Sequence, residues 1–168
     1  MSHFILWEQV QWAGFDKFEL GRGIIRHVLL LAYANGFQVW DIEDADDVHE
    51  IVSKRDAPVA FLKIQPRPIA LDTEDYKFKD VLPLLLVVTS DATVTEGGYA
   101  KIGGSLPQSG GSSFIPTVVR FYSLRSHTYV DEFRFWSATY AVRCSPRILV
   151  IPLEHKYVVL MQRPLGIL

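Results

Sequence analysis

Four carboxylates crowd the stretch Glu43-Asp44-Ala45-Asp46-Asp47, the densest run of potential oxygen ligands in the chain. A calcium loop needs such ligands at alternate positions, a glycine at its bend and a distant bidentate glutamate. Val48 falls where the fifth ligand position would be and the glycine is missing, so the run reads as a solvated turn between strands, able at most to show an acidic patch to a partner. The glycines of Gly97-Gly98-Tyr99-Ala100-Lys101-Ile102-Gly103-Gly104-Ser105 suggest backbone amides cradling an anion, but Gly104 stands where a phosphate loop requires lysine. A flexible loop is the plainer reading. His3, His27, His49, His127 and His155 are scattered without a spacing that would set two imidazoles on one metal, and each reads as a surface or packing residue. Ser105, Ser109, Ser112 and Ser113 lack the strand-turn-helix context of a serine nucleophile. Cys144 lies near Arg143 and Arg147, which could lower its pKa, although a buried inert thiol is the more ordinary outcome. These residues name no catalytic centre, cofactor site or metal site, and the chain is expected not to be an enzyme.

The elements that carry these residues are bounded by composition. With 168 residues, 49% of them hydrophobic and 21% charged, the chain resembles a soluble globular domain with a real core. A formal net charge of -2 supplies no long-range basic field for a phosphate backbone, so no nucleic-acid partner is expected. The single cysteine excludes an internal disulfide framework and fits a reducing compartment such as the cytosol. The start, Met1-Ser2-His3-Phe4-Ile5-Leu6-Trp7-Glu8, has no cationic leader and is expected to be retained. The apolar runs Val28 to Ala34 and Val81 to Val88 are far shorter than the roughly 20 residues that span a bilayer.

Most apolar segments are short, rich in Val, Ile, Phe, Tyr or Trp, and bounded by Gly, Pro, Asn or Asp, which predicts an all-β chain. The expected strands of a first group are Val10 to Phe15, Ile24 to Tyr33, Gly36 to Asp41 and Val48 to Ser53. Asn35-Gly36 predicts a type I′ hairpin turn between the second and third, since that turn needs positive φ at both central positions. A second group comprises Val59 to Ile64, Val81 to Thr89, Thr117 to Leu124 and Thr128 to Phe135. Tyr140 to Cys144, Arg147 to Ile151 and Lys156 to Met161 form a third group without its fourth strand, with a tight turn at Ser145-Pro146.

Recurring sets of four antiparallel strands are the sequence form of propeller blades. Gly36-Phe37-Gln38-Val39-Trp40-Asp41 ends in the Trp-Asp pair that names the WD repeat, on the third strand of its group where that pattern expects it. The fold expected is a partial WD-repeat-type β-propeller, about two and a half four-stranded blades. Blade 1 is placed at about 9–54, blade 2 at about 57–136 and a partial blade 3 at about 138–162, with inserted loops at 65–80 and 92–116. Those loops, Gln65 to Asp80 and Ala92 to Pro116, are where recognition would lie if the surface is used.

Particular stretches resemble a family. Val10-Gln11-Trp12-Ala13-Gly14-Phe15-Asp16-Lys17 and Gly36-Phe37-Gln38-Val39-Trp40-Asp41-Ile42-Glu43-Asp44-Ala45-Asp46 are similar to the first strand and first hairpin of the plant autophagy-related protein 18 group that carries a breast carcinoma amplified sequence 3 region, within the PROPPIN class. Pro116-Thr117-Val118-Val119-Arg120-Phe121-Tyr122-Ser123-Leu124-Arg125-Ser126 and Ala141-Val142-Arg143-Cys144-Ser145-Pro146-Arg147 resemble its second and third blades, so the likeness covers residues 9 to 151. The resemblance implies a seven-bladed propeller that binds phosphatidylinositol 3-phosphate and helps form autophagosomes with other autophagy proteins. It implies a cytoplasmic protein, peripheral on preautophagosomal or vacuolar membranes.

In that class lipid affinity resides in an Arg-Arg-Gly motif whose paired guanidiniums grip phosphates. The chain has no adjacent arginines, so no lipid-binding residue is assigned to any position in it. After Leu153 the likeness fades, and the chain is expected to be an N-terminal fragment of such a propeller. An open fragment leaves strand edges and an apolar blade face uncovered, and is expected to self-associate when expressed alone. The alternative is a protein-interaction scaffold in membrane traffic or cytoskeletal organisation, without lipid binding.

Overall fold

The computed structural model describes residues 9–21, 23–68, 77–90 and 117–161. Their strands are β1 (Val10–Glu19), β2 (Ile25–Tyr33), β3 (Gly36–Asp41), β4 (His49–Lys54), β5 (Phe61–Ile64), β6 (Leu84–Ser90), β7 (Thr117–Ser123), β8 (Thr128–Phe135), β9 (Arg143–Cys144), β10 (Ile148–Pro152) and β11 (Tyr157–Met161). They form three antiparallel sheets, ordered β1-β2-β3-β4, β5-β6-β7-β8 and β11-β10-β9. Each sheet follows chain order, because every connection within it joins neighbouring antiparallel strands.

Two cores hold the sheets side by side. Val28, Leu30, Phe37, Val39 and Val52 of the first sheet pack with Leu62, Ile64, Leu85, Val87 and Tyr122 of the second. On the other face of the second sheet, Leu84, Leu86, Val88, Val119 and Phe121 pack with Val142, just before β9, and with Leu149 and Ile151 of the third sheet. The strand alternation explains the division: successive residues of Leu84-Leu85-Leu86-Val87-Val88 point to opposite faces and meet a different neighbouring sheet in turn. Phe37 sets its ring edge-on to Tyr122 at 5.3 Å between centroids, and Tyr122 meets Tyr129 in the same way at 5.1 Å. Each fully buried side chain of this size contributes roughly 1.5–3 kcal/mol relative to its exposed state.

Several local expectations are corrected. The β2–β3 hairpin forms, but its turn residues are Ala34 and Asn35, because Tyr33 pairs with Gly36. None of Ala34, Asn35 and Gly36 has positive φ, a feature confined among the described residues to Gly21, Gly23 and His127. Gly36 is required for another reason: a Cβ there would lie 1.9 Å from the carbonyl oxygen of Lys54 on the adjacent strand. The first strand runs on to Glu19, since its pairing with β2 continues through Lys17 opposite His27 to Glu19 opposite Ile25. Asp16 within it also accepts hydrogen bonds from the Lys63 Nζ and the Ile64 backbone, both at 2.9 Å, tying the first sheet to β5.

The second group begins later than predicted. Val59 and Ala60 precede β5, their amides donating to Tyr33 and Val88 carbonyls. Val81 closes a short 3-10 helix, Lys79–Val81, and β6 starts at Leu84, after Pro83, which has no amide hydrogen for the ladder. In the third sheet only Arg143 and Cys144 of the segment from Tyr140 pair as a strand, because the preceding chain is engaged elsewhere: the Thr139 hydroxyl donates to the Pro152 carbonyl and the Thr139 amide to the Thr117 hydroxyl. The predicted turn at Ser145-Pro146 is present, with the Ser145 amide donating to the Ile148 carbonyl at 2.8 Å. Among the described residues no helix is long and apolar enough to cross a membrane.

Candidate functional site

A recess lies where the first two sheets meet, at one end of their strands. Antiparallel order brings the same end of alternate strands together, so Phe18 and Glu19 of β1, Asp41 of β3, the residues after β5, those before β6 and those after β7 all converge there. The cleft encloses about 870 Å³. Its apolar lining comes from both sheets, with Phe18 7% exposed on one side and Leu124 6% exposed on the other. Leu82 and Pro83 extend that lining ahead of β6.

The second residue of the Trp-Asp pair anchors one wall. Asp41 is 4% exposed, and its Oδ2 accepts from Arg26 Nε at 2.7 Å, with Arg26 Nη2 also at 2.7 Å. Its Oδ1 accepts from the Glu43 amide at 3.0 Å. Desolvation pushes the Asp41 carboxyl up, but the Glu43 amide and the Arg26 guanidinium together outweigh it and hold the carboxyl below its ordinary value. An ionised, doubly satisfied carboxylate of this kind orders the end of β3 and has no spare proton to transfer.

Cations occupy the other wall and the rim. Arg67 follows β5 and reaches across to the first sheet, where a Cβ on Gly21 would lie 3.0 Å from its Nη1. Lys79 opens the short helix, and Arg125 follows β7 with its Nη1 donating to the Asp80 carbonyl at 3.4 Å. The turn that presents Arg125 is fastened from within. Ser123, fully buried, donates to the Val81 carbonyl at 2.7 Å and accepts from the amides of Arg125 and Ser126.

The acidic run found in the sequence is used locally. Glu43 Oε2 accepts from the His27 amide at 2.8 Å and faces His27 Nδ1 at 2.6 Å, and the His27 hydrogen bonds hold the Glu43 carboxyl below its ordinary value. Asp44 Oδ1 accepts from the Asp46 amide at 2.9 Å, which shapes the β3–β4 turn, and His49 Nδ1 lies 3.0 Å from the Asp47 carbonyl. Among the described residues no group of three or more His, Cys, Asp or Glu side chains is placed to hold a metal ion.

Cys144 is half-buried and its thiol is pushed up to about 12 by desolvation, with Lys63 and Asp16 as minor opposing influences. Arg143 and Arg147 are not among the groups that act on it. His127 takes φ +57° in the turn before β8, and His155 is exposed beside Glu154. His3, the glycine-rich stretch Gly97 to Ser105, and Ser105, Ser109, Ser112 and Ser113 lie outside the described residues.

The sequence reading named Glu43 and His27 separately, although the β2–β3 register that sets Val28 opposite Asp41 places His27 beside the residues that follow the hairpin. It missed the Arg26–Asp41 pair, which the same register would have located. It also missed the convergence of Arg67, Lys79 and Arg125, which sit on segments far apart in sequence.

The family model described as BCAS3, WD40 repeat matches residues 5–163. Arabidopsis thaliana autophagy-related protein 18g is 46% identical over 158 residues, covering 89% of this chain and 16% of its own length. Autophagy-related protein 18h of the same plant is 45% identical over 152 residues, covering 87% of this chain and 16% of its own length, and protein 18f is 40% identical over 148 residues, covering 86% and 18%. The chain thus spans less than a fifth of the length of these relatives. A solved structure, Hsv2 of Kluyvelomyces marxianus, is similar with a TM-score of 0.49 at 11% identity, over 92% of this chain and 35% of that one. The three sheets are blades of a partial WD-repeat β-propeller, and the chain belongs to the BCAS3 WD40-repeat family.

Proposed function

We propose that this chain is a non-enzymatic part of an autophagy-related β-propeller, supplying scaffold blades and partner-binding surface to a longer protein that acts on membranes containing phosphatidylinositol 3-phosphate. The observation that carries this reading is the 46% identity to autophagy-related protein 18g over 89% of the chain. The blade arrangement supports a scaffold, since buried polar side chains bond within and between its elements: Asp41 with Arg26, Ser123 with Val81 and Thr139 with Pro152. On this reading the protein is cytoplasmic and peripheral on preautophagosomal or vacuolar membranes, and the blades at about 9–54, 57–136 and 138–162 act as one packing unit.

A phosphoinositide grip needs clustered guanidiniums, and the chain has no two adjacent arginines. Lipid affinity is therefore assigned to the remainder of the complete protein. The same observation favours a second reading, a protein-interaction scaffold in membrane traffic or cytoskeletal organisation without lipid binding. Flotation with liposomes separates the two. The complete protein is expected to float with vesicles containing phosphatidylinositol 3-phosphate and not with vesicles lacking it, while this chain alone stays at the bottom in both. Failure of the complete protein to float selects the scaffold reading.

A further inference from the structure

We propose that the cleft between the first two blades is a docking site for an acidic peptide segment that seats an apolar side chain against Leu20, Leu82 and Pro83. The charge pattern points to an anionic partner. Arg67, Lys79 and Arg125 converge on the cleft, and among the described residues none of them has a carboxylate within the 4.0 Å of an ion pair, whereas Arg26, Lys63 and Lys77 elsewhere in the chain all do. Of the two acidic residues in the lining, Asp41 is neutralised by Arg26, leaving Glu19 against three cations. This local excess of positive charge stands on a chain whose formal net charge is -2, so it is a property of the site and not of the surface as a whole.

Shape and lining distinguish a peptide from a bare anion. An inorganic phosphate or a lipid headgroup would engage the guanidiniums but leave the 56% exposed Leu20 and the half-buried Leu82 and Pro83 facing water. A cleft of about 870 Å³ falls within the roughly 300–1,000 Å³ of sites that hold one substantial ligand group, and here the apolar surface lies beside the cations. A chain carrying Asp or Glu on either side of a Leu or Phe matches both features: the apolar side chain anchors and the carboxylates pair with the rim. The blade interface fixes the floor of the cleft, because Phe18 and Leu124 behind it belong to the same buried cluster as Phe37 and Tyr122.

The test immobilises the 168-residue chain at low density and measures binding of short synthetic peptides by interferometry. The peptides are an acidic sequence with a central Leu-Phe, the same sequence with every Asp and Glu replaced by its amide, and the acidic sequence with Leu-Phe replaced by Ser-Ser. Only the first should bind well, and its affinity should fall as salt rises. Arg67→Glu combined with Arg125→Glu should weaken it about tenfold or more. The milder Arg67→Gln with Arg125→Gln should do so to a smaller degree, while Arg147→Glu with Lys156→Glu on the third blade should leave it unchanged. Equal binding of the amide peptide, indifference to the Arg67 and Arg125 substitutions, or no binding of any peptide would overturn the proposal. Capture of phosphatidylinositol 3-phosphate vesicles through Arg67 and Arg125, with no peptide bound, would assign the cations to a headgroup and overturn it equally.

Discussion

Among the described residues the second blade packs against a sheet on each face and the first blade against a sheet on one face, and their strands differ accordingly. Leu84 to Val88 of β6 are each at most 1% exposed, and six of the seven residues of β7 are buried. In the first blade burial alternates: along β2, Val28, Leu30 and Ala32 are buried while Leu29 and Leu31 are only half-buried, and on β1 Phe15 is 80% exposed. Phe15 pairs across the strands with Leu29, which in turn pairs with Trp40, so these residues share the uncovered face. A blade is therefore completed by what flanks it. The same strand geometry yields a core on one side and an apolar surface on the other, depending only on whether another sheet is present.

Leucine-to-alanine substitutions test this contrast most severely. Leu85→Ala and Leu86→Ala point to opposite neighbours of the second blade, and each should cost about 2–5 kcal/mol in urea unfolding. In the first blade, Leu30→Ala should cost a similar amount and Leu31→Ala much less, because Leu30 faces the second blade and Leu31 does not. Equal losses at Leu30 and Leu31 would mean that the outer face is covered after all, for instance by self-association.

A smaller effect is expected at the hairpin of the first blade. Gly36→Ala places a Cβ against the Lys54 carbonyl, and the outer strand must shift to admit it, at a cost of about 1–3 kcal/mol. An unchanged unfolding midpoint would show that the β3–β4 pairing is looser than its register indicates.

The smallest effect sharpens the electrostatic side of the comparison. Asp41 and Glu43 of the first blade have carboxyls held below their ordinary values of 3.8 and 4.5. Their stabilisation is complete above those ordinary values and is lost as pH falls through the lowered ones. Asp41→Asn should lower the unfolding midpoint at neutral pH and flatten its decline below about pH 4. An acid profile as steep as that of the parent would place the responsible carboxylates elsewhere, with Glu132 of the second blade, also lowered by its bonds to Arg134 and Arg120, as the next in line.

Much of the architecture was legible in the residues because strand formation and punctuation are local. The run Leu84-Leu85-Leu86-Val87-Val88 has too few polar residues for a face in water, Ser145-Pro146 marks a turn, and Trp40-Asp41 marks the end of a third strand. Local rules also misled at an identifiable point. Asn35-Gly36 looked like a primed turn, yet the glycine is there because Lys54 of the next strand passes too close for a side chain. At Cys144 the more ordinary of two readings holds, since burial raises its pKa and neither Arg143 nor Arg147 is among the groups acting on it.

The sequence by itself determined the strand content, the grouping into sets of four, the Trp-Asp position and the absence of adjacent arginines, since each depends on a residue and its near neighbours. Only the tertiary structure decided that Arg26 neutralises Asp41, that Asp16 joins the first blade to Lys63 and Ile64, and that Arg67, Lys79 and Arg125 share a cleft with Phe18 and Leu124. Those relations span blades and loops of differing length. They are fixed by the packing of one sheet on the next, where strand register and the buried cores set distances that no spacing along the chain encodes.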